Sequence, residues 1–431
     1  MIWEEHSLIS FWLSISIFLI TYVFIIADKI HRTIVVWMGA VLVIVLGVIN
    51  QEQAIEHIDF NTLLLLIGMM VIVGITRKSG VFEYLAIKSA KMVKGKPVAI
   101  LVVLGLITAV ASALLDNVTA VLLVVPITYA LTDRLEISPI PFLFTEIISS
   151  NIGGTATLIG DPPNIMIGSA TGLGFMDFIM NLALPAGLIL VTTIVCLVFI
   201  YKKDLTANKD KIERLMALNE IDCICEWLIL KKSLVVLGLT ILGFLLHQSL
   251  NLESATIALF GAGLLMLITR EEPEEVLLTI EWPTIFFFAG LFILVGGLQV
   301  NGVISLIANI SLQITGDSVA LTGTLVLWLS ALASAFVDNI PFVATMIPLL
   351  QEVGQLSHMP MESIWWSLAL GACLGGNGSL IGASANVIVA GIAERNGTPI
   401  KFIEFLIVGF PLMLLSIIIS TGYLYLVFWR G

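Results

Sequence analysis

Charge is scarce in this 431-residue sequence: Asp, Glu, Lys and Arg make up 12% of it against 58% hydrophobic residues, and the mean hydropathy is +1.07. So little polar surface cannot clothe a water-soluble globule of this size, which points to a membrane protein. Cysteine and histidine are scarce too. The four cysteines (Cys196, Cys223, Cys225, Cys373) and five scattered histidines offer no metal-ligand spacing beyond a lone Cys-x-Cys at 223–225, which reads as two ordinary cysteines on a linker. A net charge of −11 argues against nucleic acid as a partner. The glycine-rich phosphate loop ending in Gly-Lys-Ser/Thr is missing, so ATP bound by this chain is not an energy source. Also missing are His-Glu-x-x-His, Gly-x-Ser-x-Gly and any Cys/His cluster, which argues against an enzyme. The first apolar segment follows Trp3, Glu4, Glu5 and His6 instead of a basic stretch, and no small-residue cleavage site ends it. It reads as an uncleaved helix and not as a signal peptide.

What the chain does have is apolar length. Segments of about 20 residues, enough to span a bilayer, can be drawn at 8–27, 33–49, 60–76, 178–200, 233–250, 252–269, 284–300 and 402–428. Basic residues collect on the cytoplasmic side of membrane proteins. With the N-terminus outside, and the segments beginning near 98 and 319 taken as hairpins that return to their own side, only Arg430 of the 20 Lys and Arg residues falls outside. Crossing parity does not separate a re-entrant hairpin from two full crossings. The polar stretch 201–232 reads as a cytosolic linker carrying a short amphipathic helix.

The chain also repeats itself. ALLDNVTAVLLVVPI at 113–127 returns as AFVDNIPFVATMIPL at 335–349, which maps Asp116 to Asp338, Asn117 to Asn339 and Pro126 to Pro348 at an offset of 222. At the same offset NIGGTATLIGDPPNIM (151–166) meets CLGGNGSLIGASANVI (373–388), and Thr62, Gly68, Val73, Gly74 and Gly80 meet Thr284, Gly290, Val295, Gly296 and Gly302. Three gap-free matches at one offset mark an internal repeat. The loop 77–97 carries six basic residues and its counterpart 299–319 carries none, so the copies place that loop on opposite sides of the membrane. The expected organisation is two inverted repeats, 60–200 (hairpin 98–131, broken helix 142–170) and 282–428 (hairpin 319–350, broken helix 362–392). Scaffold helices at 1–59 and 233–281 and the 201–232 linker complete it. Inverted repeats with interrupted helices characterise secondary transporters, whose site lies near the midplane between the repeats.

Gly153, Gly154 and Gly160 followed by Pro162 and Pro163 are expected to unwind a helix, because glycine tolerates unusual backbone angles and proline lacks the amide donor. The same holds for LGGNGSLIGASAN at 374–386. Irregular backbone at membrane depth is tolerated only inside protein or beside an aqueous cavity. Small residues packing helices together would explain the glycines, but not Asp161, Asn164, Asn377, Ser379 and Asn386 around the breaks. Asp116 and Asp338 can cap the second arm of each hairpin. An Asn or Ser would cap as well without a mid-membrane carboxylate that costs about 2.5–3.5 kcal/mol, so a transport role is expected of both. Glu146 lies in an apolar context close enough to Pro141 that the interface could solvate it, and its role stays open. Repeat one alone has an acid at the break, Asp161 where repeat two has Ala383, so a cation site is expected in the first half.

At these strings the sequence resembles the ion-transporter superfamily of arsenite pumps, sodium/proton antiporters and citrate-type carriers, and most closely the melanosomal P protein (pink-eyed dilution) family. LLDNVTAVLLVVP, NIGGTATLIGDPPN, ASAFVDNIPFVATMIP, ACLGGNGSLIGASANVIVAGIAE and FIEFLIVGFP carry the resemblance, which covers about 60–428. It implies an all-α polytopic membrane protein of the elevator-type transporter fold: outer scaffold helices, a mobile domain of two re-entrant hairpins and two broken helices, and a homodimer. In citrate-type relatives each tip reads Ser-Asn-Thr and helps hold sodium and a substrate carboxylate. Here the tips are Asp116-Asn117-Val118 and Asp338-Asn339-Ile340, and the extra acid would repel a dicarboxylate. The long glycosylated lumenal loop of the animal protein is missing, so a compact prokaryotic relative in the plasma membrane is expected.

The expected ion- and substrate-binding set is Asp116, Asn117, Thr119, Asn151, Gly153, Gly154, Thr155, Thr157, Asp161 and Asn164, with Asp338, Asn339, Gly375, Gly376, Asn377, Ser379 and Asn386. Sodium would sit near Asp116, Asn117, Asp161 and Asn164. Two carboxylates close together in a low-dielectric site cannot both ionise cheaply without a cation, so protons and substrate cations would compete. The expectation is a secondary transporter of a small ion or weakly acidic solute, coupled to sodium or protons, with lipid as its surroundings and no other cofactor. The alternatives are a sodium-coupled anion carrier and an anion channel.

Overall fold

A computed structural model describes residues 2–27, 29–216, 221, 224–316, 318–357 and 359–430. Every regular element among them is a helix. The chain runs α1 (Ile2–Ala27), α2 (Arg32–Val45), α3 (Gln51–Glu56), α4 (Phe60–Arg77), α5 (Val81–Met92), α6 (Pro97–Leu114), α7 (Asn117–Leu135), α8 (Ile140–Thr155), α9 (Pro162–Thr171) and α10 (Phe175–Tyr201). A linker with the short α11 (Lys209–Met216) leads to α12 (Trp227–Leu250), α13 (Ser254–Thr269), α14 (Pro273–Leu277), α15 (Trp282–Val300) and α16 (Val303–Thr315). The remaining helices are α17 (Val319–Phe336), α18 (Asn339–Ser357), α19 (Glu362–Gly375), α20 (Ser384–Arg395) and α21 (Phe402–Leu424).

Among the described residues nine helices are long and apolar enough to cross a membrane, and they include both arms of the first hairpin and the first arm of the second. Two runs drawn as spanning are shorter. Residues 33–49 and 252–269 form helices of 14 and 16 residues, about 21 and 24 Å long against a hydrocarbon core of about 30 Å. Local chemistry explains the first case. Gly47 turns the chain in the left-handed region, and Asn50 opens α3 with a capping box to Gln53.

The 222-residue offset recurs in the packing. α6 lies along α8 as α17 lies along α19, and α4 pairs with α13 as α15 pairs with α2. Gly80 and Gly302, 222 apart, enter α5 and α16 with φ of 76° and 77°, where a side chain would be strained. The linker folds back on the first half: Leu205 is buried with Ala90, Leu101 and Leu135, and Lys211 pairs with Glu136. Residues 217–220, 222 and 223 lie outside the described residues, and with them Cys223 of the Cys-x-Cys pair. Among the described residues no three His, Cys, Asp or Glu groups form a metal-binding cluster.

Candidate functional site

The hairpin tips are built by capping. At the first, Asp116 is extended and accepts from the Thr119 amide at 2.7 Å on Oδ1 and from the Thr119 hydroxyl at 2.5 Å on Oδ2. This satisfies the first amides of α7 as an N-cap should. At the second, the residue equivalent to Thr119 is Pro341, which has neither donor. Asp338 Oδ1 accepts from the Ile340 amide at 3.1 Å, while Oδ2 accepts from Arg32 Nη1 at 2.6 Å and the Ser384 hydroxyl at 2.8 Å. Arg32 is the first residue of α2 and also lies 5.1 Å over the Phe287 ring. The two aspartates are 7% and 9% exposed.

The two broken helices are held open by matching bonds. Asn164 Nδ2 donates to the carbonyls of Gly154, Thr155 and Thr157, and Asn386 Nδ2 donates to those of Gly376 and Ser379. The Thr157 hydroxyl donates to Ala113 O, and the Ser379 hydroxyl to Ala335 O. Ser112 and Ser334 tie the hairpins to Ser150 O and Ala372 O. Each pair is 222 residues apart. These bonds give the carbonyls freed at each break partners within the protein.

The expected role of the glycines needs correcting. α8 runs through Gly153 and Gly154 to Thr155, none of the glycines at either break has positive φ, and the interruption begins at Ala156. Their function is close approach. A Cβ on Gly153 would sit 2.1 Å from Ala109 O, and one on Gly375 2.6 Å from Ala331 O, so each broken helix lies backbone to backbone on the first arm of its hairpin.

Four asparagines join the halves. Asn117 Nδ2 donates to Asn151 Oδ1 at 3.2 Å, and Asn151 Nδ2 donates to Asn377 Oδ1 and Asn386 Oδ1 at 2.9 and 3.0 Å. Asn339, at the second tip, reaches across to both carboxylate oxygens of Asp161 at 3.4 Å. The Cys373 thiol also comes within hydrogen-bond range of the Asp161 carboxylate, which is fully buried. Asp161 precedes α9 without a side-chain cap bond.

A small cavity lies between the tips, lined by Asp116, Asn117, Thr119, Asp161, Asn339 and Ser384, with Glu281 and Thr284 at the start of α15. Arg32 and Asp338 line a second, larger cavity that shares Ser384. Of the expected site residues, Asp116, Asn117, Thr119, Asp161 and Asn339 meet at the first cavity and Asp338 at the second. Asn151 and Asn377 lie behind them in the asparagine network. Gly153, Gly154, Thr155, Thr157, Asn164, Gly375, Gly376, Ser379 and Asn386 build the breaks. Sequence reading missed Arg32, Glu281 and Ser384. The signal for Glu281 was present: it is the repeat partner of Asp59, and Thr62 and Thr284 bond them alike.

The citrate transporter family model, CitMHS, matches residues 22–371. An uncharacterized transporter of Mycobacterium bovis is 43% identical over 419 residues, covering 96% of this chain and 97% of the relative. The human P protein is 34% identical over 490 residues, covering 94% of this chain and 58% of that longer protein. The crystal structure of the YdaH transporter of Alcanivorax borkumensis, described as having an unusual topology, shares the fold at a TM-score of 0.57 with 14% identity, covering 99% of this chain and 98% of the other.

Proposed function

The chain belongs to the CitMHS citrate transporter family, and from that premise we propose that this integral membrane transporter couples movement of a small cation or weakly acidic solute to a proton or sodium gradient. The observation that carries this reading is the first cavity: Asp116, Asp161 and Glu281 line it and no Lys or Arg does. Three carboxylates around one enclosed space cannot all be charged without a cation, so protons and metal cations compete for it. Asp116 and Asp161 exchange the coupling ion, with Asn117 and Asn339 as neutral ligands. Asn164, Asn386, Thr157 and Ser379 keep the broken helices in shape around it.

Motion follows from the duplicated architecture. The copies are inverted in the membrane, and each pairs a hairpin with a broken helix, a unit that slides against α1, α2, α4, α12, α13 and α15 in an elevator-type alternation. Sodium and protons are the coupling ions of choice, the assembly is a homodimer, and the basic loops face the cytoplasm.

Arg32 favours a second reading, a sodium-coupled anion carrier, because its guanidinium lies at the second tip near the start of α20. Its charge is already matched by Asp338, and a polycarboxylate would meet three further acids, so the cation reading is preferred. Proteoliposomes decide between them. Asp116→Asn should abolish pH-coupled uptake; unchanged coupling would remove Asp116 from the mechanism. Anion binding that tightens with sodium would establish the second reading.

A further inference from the structure

We propose that Glu146 is a second proton-binding site, outside the solute cavity, that carries a proton in addition to those the cavity acids exchange. Glu146 lies in the middle of α8, fully buried, so the interface does not solvate it. Its Oε1 accepts from the Thr128 hydroxyl on α7, and its Oε2 has no partner among the described residues. One turn further along α8, the buried Ser149 hydroxyl also has none. Partnerless buried polar atoms are rare in folded proteins and call for an explanation.

The repeat supplies a control. At the positions 222 residues later, Glu146 becomes Leu368 and Thr128 becomes Leu350, both buried where α18 meets α19 as α7 meets α8. The same helix packing is therefore built with an apolar pair, which a buried polar pair seldom outperforms in stability. The carboxyl is not there for the fold.

The surroundings fit reversible protonation. Among the helices packed on α8, α6 brings no titratable side chain. α7 brings Tyr129, Asp133 and Arg134; α10 brings Asp177, Cys196 and Tyr201; α19 brings Glu362 and Cys373; α20 brings Glu394 and Arg395. None of them pairs with Glu146. The residue after Thr128, Tyr129, bonds the Thr398 hydroxyl at 2.6 Å in a segment whose neighbours are exposed. On the other side Asn151, five residues along α8, holds the network that joins both halves. The exchange is simple to balance. Glu146 gives one proton to water as a cation enters the acidic cavity, and takes one back from water when the cation leaves, beside the protons that the cavity acids exchange. This part of the inference rests on the transport reading; proton occupancy of Glu146 does not.

Two measurements test it on the full-length protein. Infrared difference spectra of nanodisc-embedded protein, between acidic and alkaline buffer, should contain a carboxylic-acid carbonyl band that disappears in Glu146→Gln and shifts in Thr128→Val. Identical bands in wild type and Glu146→Gln would overturn the proposal. In proteoliposomes, Glu146→Leu/Thr128→Leu, which copies the second half, should unfold no earlier than wild type yet move fewer protons per cation. An unchanged proton-to-cation ratio in this variant would refute the site, and marked destabilisation would make the pair structural. A wild type that moves no ions would sink the transport reading while leaving the infrared result standing.

Discussion

The two hairpin tips share the pair Asp-Asn and differ in what surrounds it. Three exchanges at the 222-residue offset account for the difference: Thr119 against Pro341, Pro162 against Ser384, and Ser254 against Arg32. At the first tip a threonine occupies both oxygens of Asp116, and a proline offers nothing across the break. At the second tip proline withdraws the cap, so one oxygen of Asp338 turns to Ser384 and to an arginine of α2. One duplicated motif has thereby become an acidic cavity without a basic residue and a tip tied to its neighbouring helix by an ion pair.

If that division is real, removing charge at the first tip should be the most damaging change. Asp161→Asn is expected to lower coupled flux by about 10–100-fold, the equivalent of one charge-assisted contact of about 1.5–3 kcal/mol, measured as initial tracer uptake into proteoliposomes. Ala383→Asp, its mirror, should not create a second coupled site. Gly153→Ala comes next. Its methyl group would strike Ala109 O, and a loss of about 1–3 kcal/mol, the usual range for overpacking, is expected in detergent unfolding.

Arg32→Gln probes the second tip. The partly exposed ion pair contributes less than a fully buried one, so a coupling of about 1 kcal/mol with Asp338→Asn is expected in a double-mutant cycle on thermal unfolding. The double variant should be more stable than Arg32→Gln alone, since it leaves no unpaired buried carboxylate. Smallest is Thr119→Val, which deletes one side-chain bond to Asp116 but leaves the amide cap. It should cost no more than about 1 kcal/mol, with flux reduced in proportion to folded protein.

Much of this was legible in the sequence because the relevant signals are local. Asp-Asn after an apolar run specifies a capped turn, and the asparagines stood out against their hydrophobic neighbours. What sequence hid was reach. Arg32 counted as one more cytoplasmic cation, since nothing near it in the chain betrays a partner 306 positions away. Each helix breaks inside the expected segment, with Gly160 and Gly382 in the interruption, but Gly153 and Gly154 lie within α8 and serve backbone contact; composition does not distinguish conformational freedom from close packing. The apolar runs at 33–49 and 252–269 were long enough on paper; turn chemistry shortened the helix in the first.

The most direct test of the central claim is proton release on sodium addition, followed with a pH indicator on purified protein in weak buffer. The account predicts a saturable release from wild type that is lost in the Asp116→Asn/Asp161→Asn variant. Equal release from both proteins, or none from wild type, would contradict it.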